Sequence, residues 1–145
     1  MTYKNVTVAG SGVLGSQIAF QTAFFGYAVT VYDINKEAID KGRERLHHLV
    51  AVYGDFFNDK ERAQKAFESL AFSYDLAEAV QDADLVIEAV PEVIEIKRNF
   101  YNQLSKVAPE KTVFASNSST MLPSQFADAT GRPEKFLALH FANEV

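Results

Sequence analysis

Near its N-terminus the chain reads Val6-Thr-Val-Ala-Gly10-Ser-Gly12-Val-Leu-Gly15-Ser-Gln-Ile-Ala-Phe20, which joins a short apolar run, three glycines spaced G-x-G-x-x-G and a segment with helical periodicity. Gly10 permits a tight turn out of a strand, Gly12 lets a ligand approach the backbone, and Gly15 lets the following helix pack close to the strand. The amides that open the helix, at Val13 and Leu14, would face the ligand, and the helix dipole favours an anion there. The stretch predicts a binding site for the diphosphate of a dinucleotide.

A second strand pattern supports this interpretation. The run Ala28–Tyr32 is rich in β-branched residues and is followed directly by Asp33. In dinucleotide-binding units an acidic residue at this strand end accepts hydrogen bonds from the adenosine ribose hydroxyls. We therefore interpret residues 1–33 as a dinucleotide-binding βαβ unit. The structural alternative for Asp33 is a cap for the turn before Asn35.

Composition bounds the remaining possibilities. The 145 residues fit one domain, and 48% hydrophobic and 23% charged residues are ordinary globular usage. The absence of cysteine excludes disulfides, thiolate catalysis and zinc–thiolate sites. A net charge of -5 argues against nucleic acid as a partner, because phosphate binding needs a basic face. With no long apolar run and no signal-like start, we expect a cytoplasmic protein without a membrane partner.

The rest of the chain alternates between helix and strand patterns. Further strands are predicted at 70–74, 85–90, 112–116 and 136–140. Helices are predicted at 36–53, where Gly54 would end the first of them, and at 59–67, 75–80, 93–105 and 123–126. Such alternation predicts an α/β fold with a doubly wound parallel sheet and a helical excursion after the second strand. Ligands of this fold bind outside the carboxyl ends of the strands.

Polar residues follow several of these strand ends. They are Asp33, Glu92, the cluster at 117–120, and His140 with Asn143. Because the carboxyl ends of parallel strands share one edge, we expect these residues to face one crevice. Any one of them alone is equally well explained as an ordinary polar loop residue. The neighbouring histidines His47 and His48 point about 100° apart on a helix, so no metal site is predicted from them.

Over essentially all 145 residues, the chain resembles the NAD-binding domain of the 3-hydroxyacyl-CoA dehydrogenase family. The resemblance rests on Gly10-Ser-Gly-Val-Leu-Gly15, Asp33, Val86-Ile-Glu-Ala-Val-Pro-Glu92 with Lys97, Ala115-Ser-Asn-Ser-Ser119 and Leu139-His-Phe-Ala-Asn143. The Glu-Ala-Val-Pro-Glu and Ser-Asn-Ser-Ser motifs are far more specific than the glycines. The resemblance implies a Rossmann fold and an NAD-dependent oxidoreductase that interconverts 3-hydroxyacyl and 3-oxoacyl compounds.

The resemblance also implies roles for individual residues. The residues expected to contact the nicotinamide half of NAD are Glu92, Lys97, Asn117 and Asn143. Ser119, in the same part of the cofactor site, would hydrogen-bond the C3 oxygen of the substrate, and His140 would be the general base. A base is needed for the hydroxyl proton of a secondary alcohol, and histidine titrates near neutrality, where both directions are accessible.

For the whole protein, the resemblance implies more than these residues supply. Family members have a glutamate about a dozen residues after the histidine, then a helical domain that closes the substrate site and forms a homodimer. We therefore expect residues 1–145 to be the N-terminal part of a longer enzyme of fatty acid metabolism. By themselves they are expected to bind dinucleotide with little or no dehydrogenase activity.

Two departures from the family pattern leave other functions open. Residues 46–53 lack the serine and lysine that commonly face coenzyme A, and Glu144 stands where the family usually has proline. One alternative is therefore an NAD-dependent dehydrogenase of 3-oxo esters, diketones or 3-hydroxy acids that does not require coenzyme A. A second is a non-catalytic NAD-sensing module. A serine hydrolase built on Ser119 and His140 is disfavoured because the chain has no G-x-S-x-G motif.

Overall fold

A computed structural model describes residues 3–117, 125 and 127–139. Within them the strands are β1 Asn5–Ala9, β2 Ala28–Tyr32, β3 Ala71–Ser73, β4 Leu85–Glu88, β5 Val113–Ser116 and β6 Phe136–Ala138. The helices are α1 Val13–Phe24, α2 Lys36–Phe56, α3 Lys60–Ser69, α4 Leu76–Val80 and α5 Ile94–Val107, with 3-10 turns at Ala127–Thr130 and Pro133–Lys135.

The strands form one parallel sheet in the order β3-β2-β1-β4-β5-β6. The chain runs outward from β1 through β2 to β3 and then returns to the other side of β1, where β4 pairs with it from Val6↔Leu85 to Ala9↔Glu88. This reversal of strand order lies between β1 and β4, and a crevice at their carboxyl ends is the usual ligand site of the fold. The predicted doubly wound Rossmann architecture is confirmed.

Two apolar clusters of buried residues hold the helices on the sheet. One packs α1, α2 and α3 over β1 and β2 and includes Phe20, Leu46 and Tyr53. The other contains Tyr101 and Phe114 and packs α4 and α5 against β4 and β5. Both faces of β4 are covered, so its sequence is apolar as far as Ile87. β1 carries one buried polar residue, Thr7, whose hydroxyl donates to the Ala79 carbonyl oxygen at 2.7 Å.

The start of each of three helices follows from a side-chain cap. Asn35, Asp59 and Asp75 each accept a hydrogen bond from the backbone N–H three residues later, at the beginning of α2, α3 and α4. The observed starts at Lys36, Lys60 and Leu76 lie within one residue of those predicted, at 36, 59 and 75. No helix among the described residues is long and apolar enough to cross a membrane.

The predicted end of α2 was wrong. Gly54 does not stop this helix, which continues to Phe56. A Cβ on Gly54 would lie 3.2 Å from the Cα of Lys60, so the glycine serves the close approach of α2 and α3. Asn58, with φ of 51°, makes the reversal instead. The helix predicted at 123–126 and the end of the strand predicted at 136–140 fall partly outside the described residues.

Candidate cofactor-binding site

A cleft of about 860 Å³ opens at the carboxyl edge of the sheet. Its walls are the loop at 10–15 between β1 and α1, the end of β2 with Asp33, the first turns of α2, the segment at 89–91 after β4, and one side of α5. The cleft therefore lies at the reversal of strand order. It contains every cofactor-binding residue predicted between positions 10 and 33.

Two of the three motif glycines are required by the protein's own packing. Gly10 has φ of +105°, and a Cβ there would overlap the carbonyl oxygen of Ala89. A Cβ on Gly15 would overlap the carbonyl oxygen of Gly10 as α1 passes close to β1. The predicted roles of Gly10 in the turn and of Gly15 in helix packing agree with this geometry.

Gly12 differs, because a Cβ added there would meet no protein atom within 4 Å. Gly12 is the N-cap of α1 without a side-chain cap, and the first intrahelical bond is donated by Ser16 N–H to its carbonyl oxygen at 2.9 Å. The amides of Val13, Leu14 and Gly15 precede that bond and have no intrahelical partner. No acidic residue lies in the first turn. The open space and the amides without an intrahelical partner fit the diphosphate of a dinucleotide.

The Asp33 carboxylate is held in place at the cleft wall. Its Oδ2 accepts hydrogen bonds from the Ser11 N–H at 2.9 Å and the Ser11 hydroxyl at 2.6 Å. Its Oδ1 accepts from the Ile34 N–H at 2.8 Å. An ionised carboxylate has about four acceptor positions, so three bonds leave capacity for a ribose hydroxyl. The arrangement fits the predicted role of Asp33 and adds Ser11 as the group that orients it.

Sequence reasoning missed the support behind this loop. A Cβ on Gly42, in the middle of α2, would overlap the Ser11 side chain, so glycine is needed where the helix crosses the loop. Arg45, one turn later, donates to the Ser11 carbonyl oxygen at 3.0 Å, and the Ser16 hydroxyl donates to the same oxygen at 2.9 Å. The available signal was Gly42 itself, because glycine inside an amphipathic helix costs about 1 kcal/mol relative to alanine.

A buried ionic network lies at the end of β4. Lys97, on α5, is completely buried, and its Nζ lies 2.5 Å from Oε2 of Glu88 and 2.9 Å from Oε1 of Glu92. The Glu88 side chain is also completely buried, whereas 38% of the Glu92 side chain is exposed. Both Glu92 and Lys97 were predicted to contact the nicotinamide half of NAD. Glu92 is accessible to solvent, and Lys97 lies behind it.

Glu88 accepts three further hydrogen bonds. Oε1 accepts from the Tyr101 hydroxyl at 3.0 Å and the Ser116 hydroxyl at 2.7 Å, and Oε2 accepts from the Val90 N–H at 3.0 Å. Burial and the neighbouring Glu88 carboxylate raise the pKa of Tyr101 well above its usual value, so its hydroxyl stays a donor. Among the described residues no buried side-chain polar atom lacks a partner.

Glu88 was not predicted as a site residue. Its signal was a single charge inside the otherwise apolar run of β4, since an ionised group that occupies a buried strand needs a partner. Asn117, which was predicted, is buried at the end of β5 and donates its N–H to the Glu88 carbonyl oxygen at 2.9 Å. The predicted residues Ser119, His140 and Asn143 lie outside the described residues.

The two neighbouring histidines of α2 are exposed, and the ring of His47 packs edge-on against Phe67 at 5.3 Å between centroids. Within the part of the chain that the structure describes, no group of three histidine or acidic side chains is arranged to hold a metal ion.

Comparison with known sequences gives one family. The model of the 3-hydroxyacyl-CoA dehydrogenase NAD binding domain matches residues 5–145. The chain is 34% identical to the mitochondrial hydroxyacyl-coenzyme A dehydrogenase of Rattus norvegicus, with 98% of the chain and 47% of the relative covered. It is 35% identical to a probable 3-hydroxybutyryl-CoA dehydrogenase of Bacillus subtilis, with 100% and 50% covered. The chain thus spans about half the length of these curated relatives.

Solved structures agree. A 3-hydroxybutyryl-CoA dehydrogenase from Escherichia coli superposes with a TM-score of 0.90 at 30% identity, covering 99% of this chain and 30% of that one. A diketoreductase described for dual catalysis of dicarbonyl compounds superposes with a TM-score of 0.97 at 58% identity, covering 100% of this chain and 52% of that one.

Proposed function

The chain belongs to the 3-hydroxyacyl-CoA dehydrogenase family as its NAD-binding domain, and from this premise we propose that it is the N-terminal part of an enzyme that interconverts 3-hydroxyacyl and 3-oxoacyl compounds. The observation that carries the proposal is the cleft at the reversal of strand order. There, the space beside Gly12 faces free helix amides, and Asp33 is held at the adenosine side. That combination suits a dinucleotide rather than a single phosphate.

Each part of the cleft has a role in this proposal. The amides of Val13, Leu14 and Gly15 bind the diphosphate, and Asp33 accepts from the adenosine ribose. Beyond the diphosphate, Glu92 with Lys97 behind it, and Asn117 at the end of β5, surround the nicotinamide half. When bound, the oxidised cofactor would accept a hydride from the alcohol, and the reduced cofactor would donate one to the ketone.

The transfer of the substrate's hydroxyl proton is proposed for residues that the sequence motifs indicate. His140 takes the proton of the substrate hydroxyl, or returns it to the ketone oxygen in reverse, and Ser119 donates a hydrogen bond to that same oxygen. Asn143 completes the nicotinamide side. These roles rest on the Leu139-His-Phe-Ala-Asn143 and Ser-Asn-Ser-Ser motifs and stay predictions.

Activity of the full-length protein tests this function. When the protein is mixed with NADH and acetoacetyl-CoA, we expect it to consume NADH. The reaction is measured by the loss of ultraviolet absorbance of the reduced nicotinamide. Tight NADH binding without turnover of any 3-oxo compound would instead support the NAD-sensing module. An active-site serine probe that labelled Ser119 would point to the hydrolase.

We expect NADH to bind about tenfold to a hundredfold more tightly than NADPH, the loss that accompanies one hydrogen bond to a charged group. Asp33 is fixed by Ser11 and would face the 2′-phosphate with like charge. The cations nearest this wall are engaged: Lys41 pairs with Glu37 at 3.5 Å, and Arg45 binds the Ser11 carbonyl. Titration with NADH and with NADPH measures the two affinities. The control is Asp33→Asn, which should narrow the difference between them. Tighter binding of NADPH than of NADH by the wild-type protein would contradict the assignment of Asp33.

A second candidate is a dehydrogenase of the same family whose 3-oxo substrate carries no coenzyme A. Residues 46–53 favour this candidate. Their exposed side chains, which include His47, His48 and Val52, contain no lysine or arginine that could bind a phosphate. Of the earlier basic residues on α2, Arg43 is stacked on Phe72 with its guanidinium carbon 4.2 Å from the ring centroid. The likeness to a diketoreductase supports the same candidate.

The two candidates differ in how the full-length enzyme ranks its substrates. If coenzyme A is not recognised, kcat/KM for acetoacetyl-CoA should exceed that for a simple 3-oxo ester of equal acyl length by less than about a thousandfold. That factor is roughly 4 kcal/mol of transition-state binding. A larger preference for the thioester would show that coenzyme A is bound specifically and would contradict this second candidate.

The family resemblance also supports a homodimer formed through a C-terminal helical domain and a place in fatty acid metabolism. A cytoplasmic location is consistent with the Bacillus subtilis relative. Sedimentation of the full-length protein tests the dimer.

A further inference from the structure

We propose that Glu88 is a positioning residue for the nicotinamide half of the cofactor site. It holds Lys97, and through Lys97 the carboxylate of Glu92, and it joins the ends of β4 and β5, where Asn117 directly follows β5. The inference rests on the proposed function, because it concerns the residues that surround the nicotinamide there.

The place of Glu88 in the sheet makes it a junction. It is the last residue of β4 and pairs with Ala9 of β1 on one side and with Ser116 of β5 on the other. The next residue, Ala89, donates its N–H to the Ala9 carbonyl oxygen at 2.7 Å. The Glu88 side chain therefore starts at the edge where the cleft opens, between the two halves of the sheet.

All acceptor capacity of this carboxylate is used inside the protein. Lys97 and the Val90 N–H bind Oε2, and Tyr101 and Ser116 bind Oε1. Four bonds match the roughly four acceptor positions of a carboxylate, so its orientation is set. Glu88 does not reach the cleft itself, since its side chain is completely buried.

The charges of the network converge on Glu92. Two carboxylates share one ammonium, Lys97 and Glu88 are fully buried, and Glu92 is the partner that reaches the surface. An exposed glutamate side chain ordinarily samples several rotamers, which binding must restrict at a cost in conformational entropy. Because leaving Glu88 would bury an unpaired charge, the Lys97 ammonium stays at one place, and it offers Glu92 a fixed charged partner before the ligand arrives.

The second arm of the junction runs through β5. The Ser116 hydroxyl binds Glu88, and the Ser116 carbonyl oxygen accepts from the Leu139 N–H at 2.9 Å. The Asn117 N–H binds the Glu88 carbonyl oxygen. Leu139 directly precedes His140 in the sequence, so the backbones that lead to Asn117 and to His140 are both tied to this junction.

A buried ion pair is weak evidence for stability, because well-packed apolar residues in its place are often neutral or stabilising. The geometry therefore points to position rather than stability as the reason for a charged pair here. This distinction can be measured by comparing a ligand that contains nicotinamide with one that contains only the adenosine half.

The test is Glu88→Gln in the full-length protein, with NADH and ADP as the two ligands. Glutamine keeps the shape but carries no charge: with its carbonyl oxygen towards Lys97 and the Val90 N–H, its amide N–H group faces the hydroxyls of Tyr101 and Ser116, which donate in the wild type. We expect NADH to bind about tenfold more weakly, a factor that corresponds to about 1.4 kcal/mol, and ADP to bind within about twofold of wild type. The fluorescence of bound NADH should shift towards that of free NADH. The matched control is Asp33→Asn, which should weaken both ligands. Equal binding of NADH by Glu88→Gln and wild type would overturn the inference.

A double variant separates position from stability. Glu88→Gln with Lys97→Met removes both buried charges, so the unfolding temperature should return towards that of wild type, while NADH binding stays as weak as in the Lys97→Met single variant measured beside it. If NADH affinity returned together with stability, Glu88 would be a structural residue only. Should these variants fail to fold, Ser116→Ala decides the question: about threefold weaker NADH binding with unchanged ADP binding is expected, and no change overturns the inference. Failure of the wild-type protein to bind NADH would instead contradict the proposed function.

Discussion

Replacing Gly12 with alanine is expected to weaken NADH binding by about tenfold to a hundredfold while changing the free energy of unfolding by less than about 1 kcal/mol. The backbone at Gly12, with φ of -69° and ψ of -166°, is extended and open to alanine. An added methyl group would meet no protein atom. It would occupy the space in front of the free amides of α1, so a phosphate would lose one charged hydrogen bond or more. Calorimetric titration with NADH and thermal unfolding of the same preparation measure both effects.

Gly10→Ala is the matched control, only two residues away. Its backbone lies at φ of +105°, which strains an L-residue by about 1–3 kcal/mol, and its methyl group would overlap the Ala89 carbonyl oxygen at a further cost of about 1–3 kcal/mol. We expect the unfolding temperature to fall on the order of 10 °C. If Gly12→Ala destabilised the protein as much as Gly10→Ala, or left NADH affinity intact, the assignment of the open space to the diphosphate would be wrong.

The fold was readable because its signals are local. The side chains of Asn35, Asp59 and Asp75 cap the helix that directly follows each of them, and the strand-glycine-helix unit is complete within about twenty residues. Strand alternation with helices then leaves few topologies, since parallel crossovers are right-handed. The observed order β3-β2-β1-β4-β5-β6 is a doubly wound sheet, as predicted, although the order of the individual strands was not predicted.

What the sequence did not reveal depends on contacts between distant segments. Ser11 meets Asp33 across 22 positions and Arg45 across 34, and no spacing rule indicates either pair. Gly54 carried the usual signal of a helix end, but its lack of a side chain serves the packing of α3 instead. In each case the local sequence pattern drew attention to a residue but did not indicate which distant residue it contacts.

The candidate site shows the same division. Asp33 and the three glycines were predicted with mechanical roles, and their surroundings agree with those roles. Glu88 was quoted as part of the Glu-Ala-Val-Pro-Glu motif but was given no role, although it binds Lys97 and Ser116 and, through Lys97, is linked to Glu92. When a charged residue occurs within a buried strand, its interaction partners should therefore be sought on the neighbouring elements. For Ser119, His140 and Asn143 the sequence motifs carry the prediction by themselves.

Replacing His140 with alanine in the full-length enzyme is expected to lower kcat by about 10²–10⁴ while leaving the Kd for NADH nearly unchanged. A proton-transfer group acts in the transition state, so its loss removes rate rather than cofactor affinity. Because imidazole accepts the hydroxyl proton only when neutral, alcohol oxidation should rise with pH through the histidine pKa, and this dependence should vanish in His140→Ala. Ser119→Ala should cost less, since it removes an orienting hydrogen bond, and His48→Ala, on the exposed face of α2, should leave kcat unchanged. Near-wild-type turnover by His140→Ala, measured by stopped-flow loss of NADH absorbance, would mean that another group is the base.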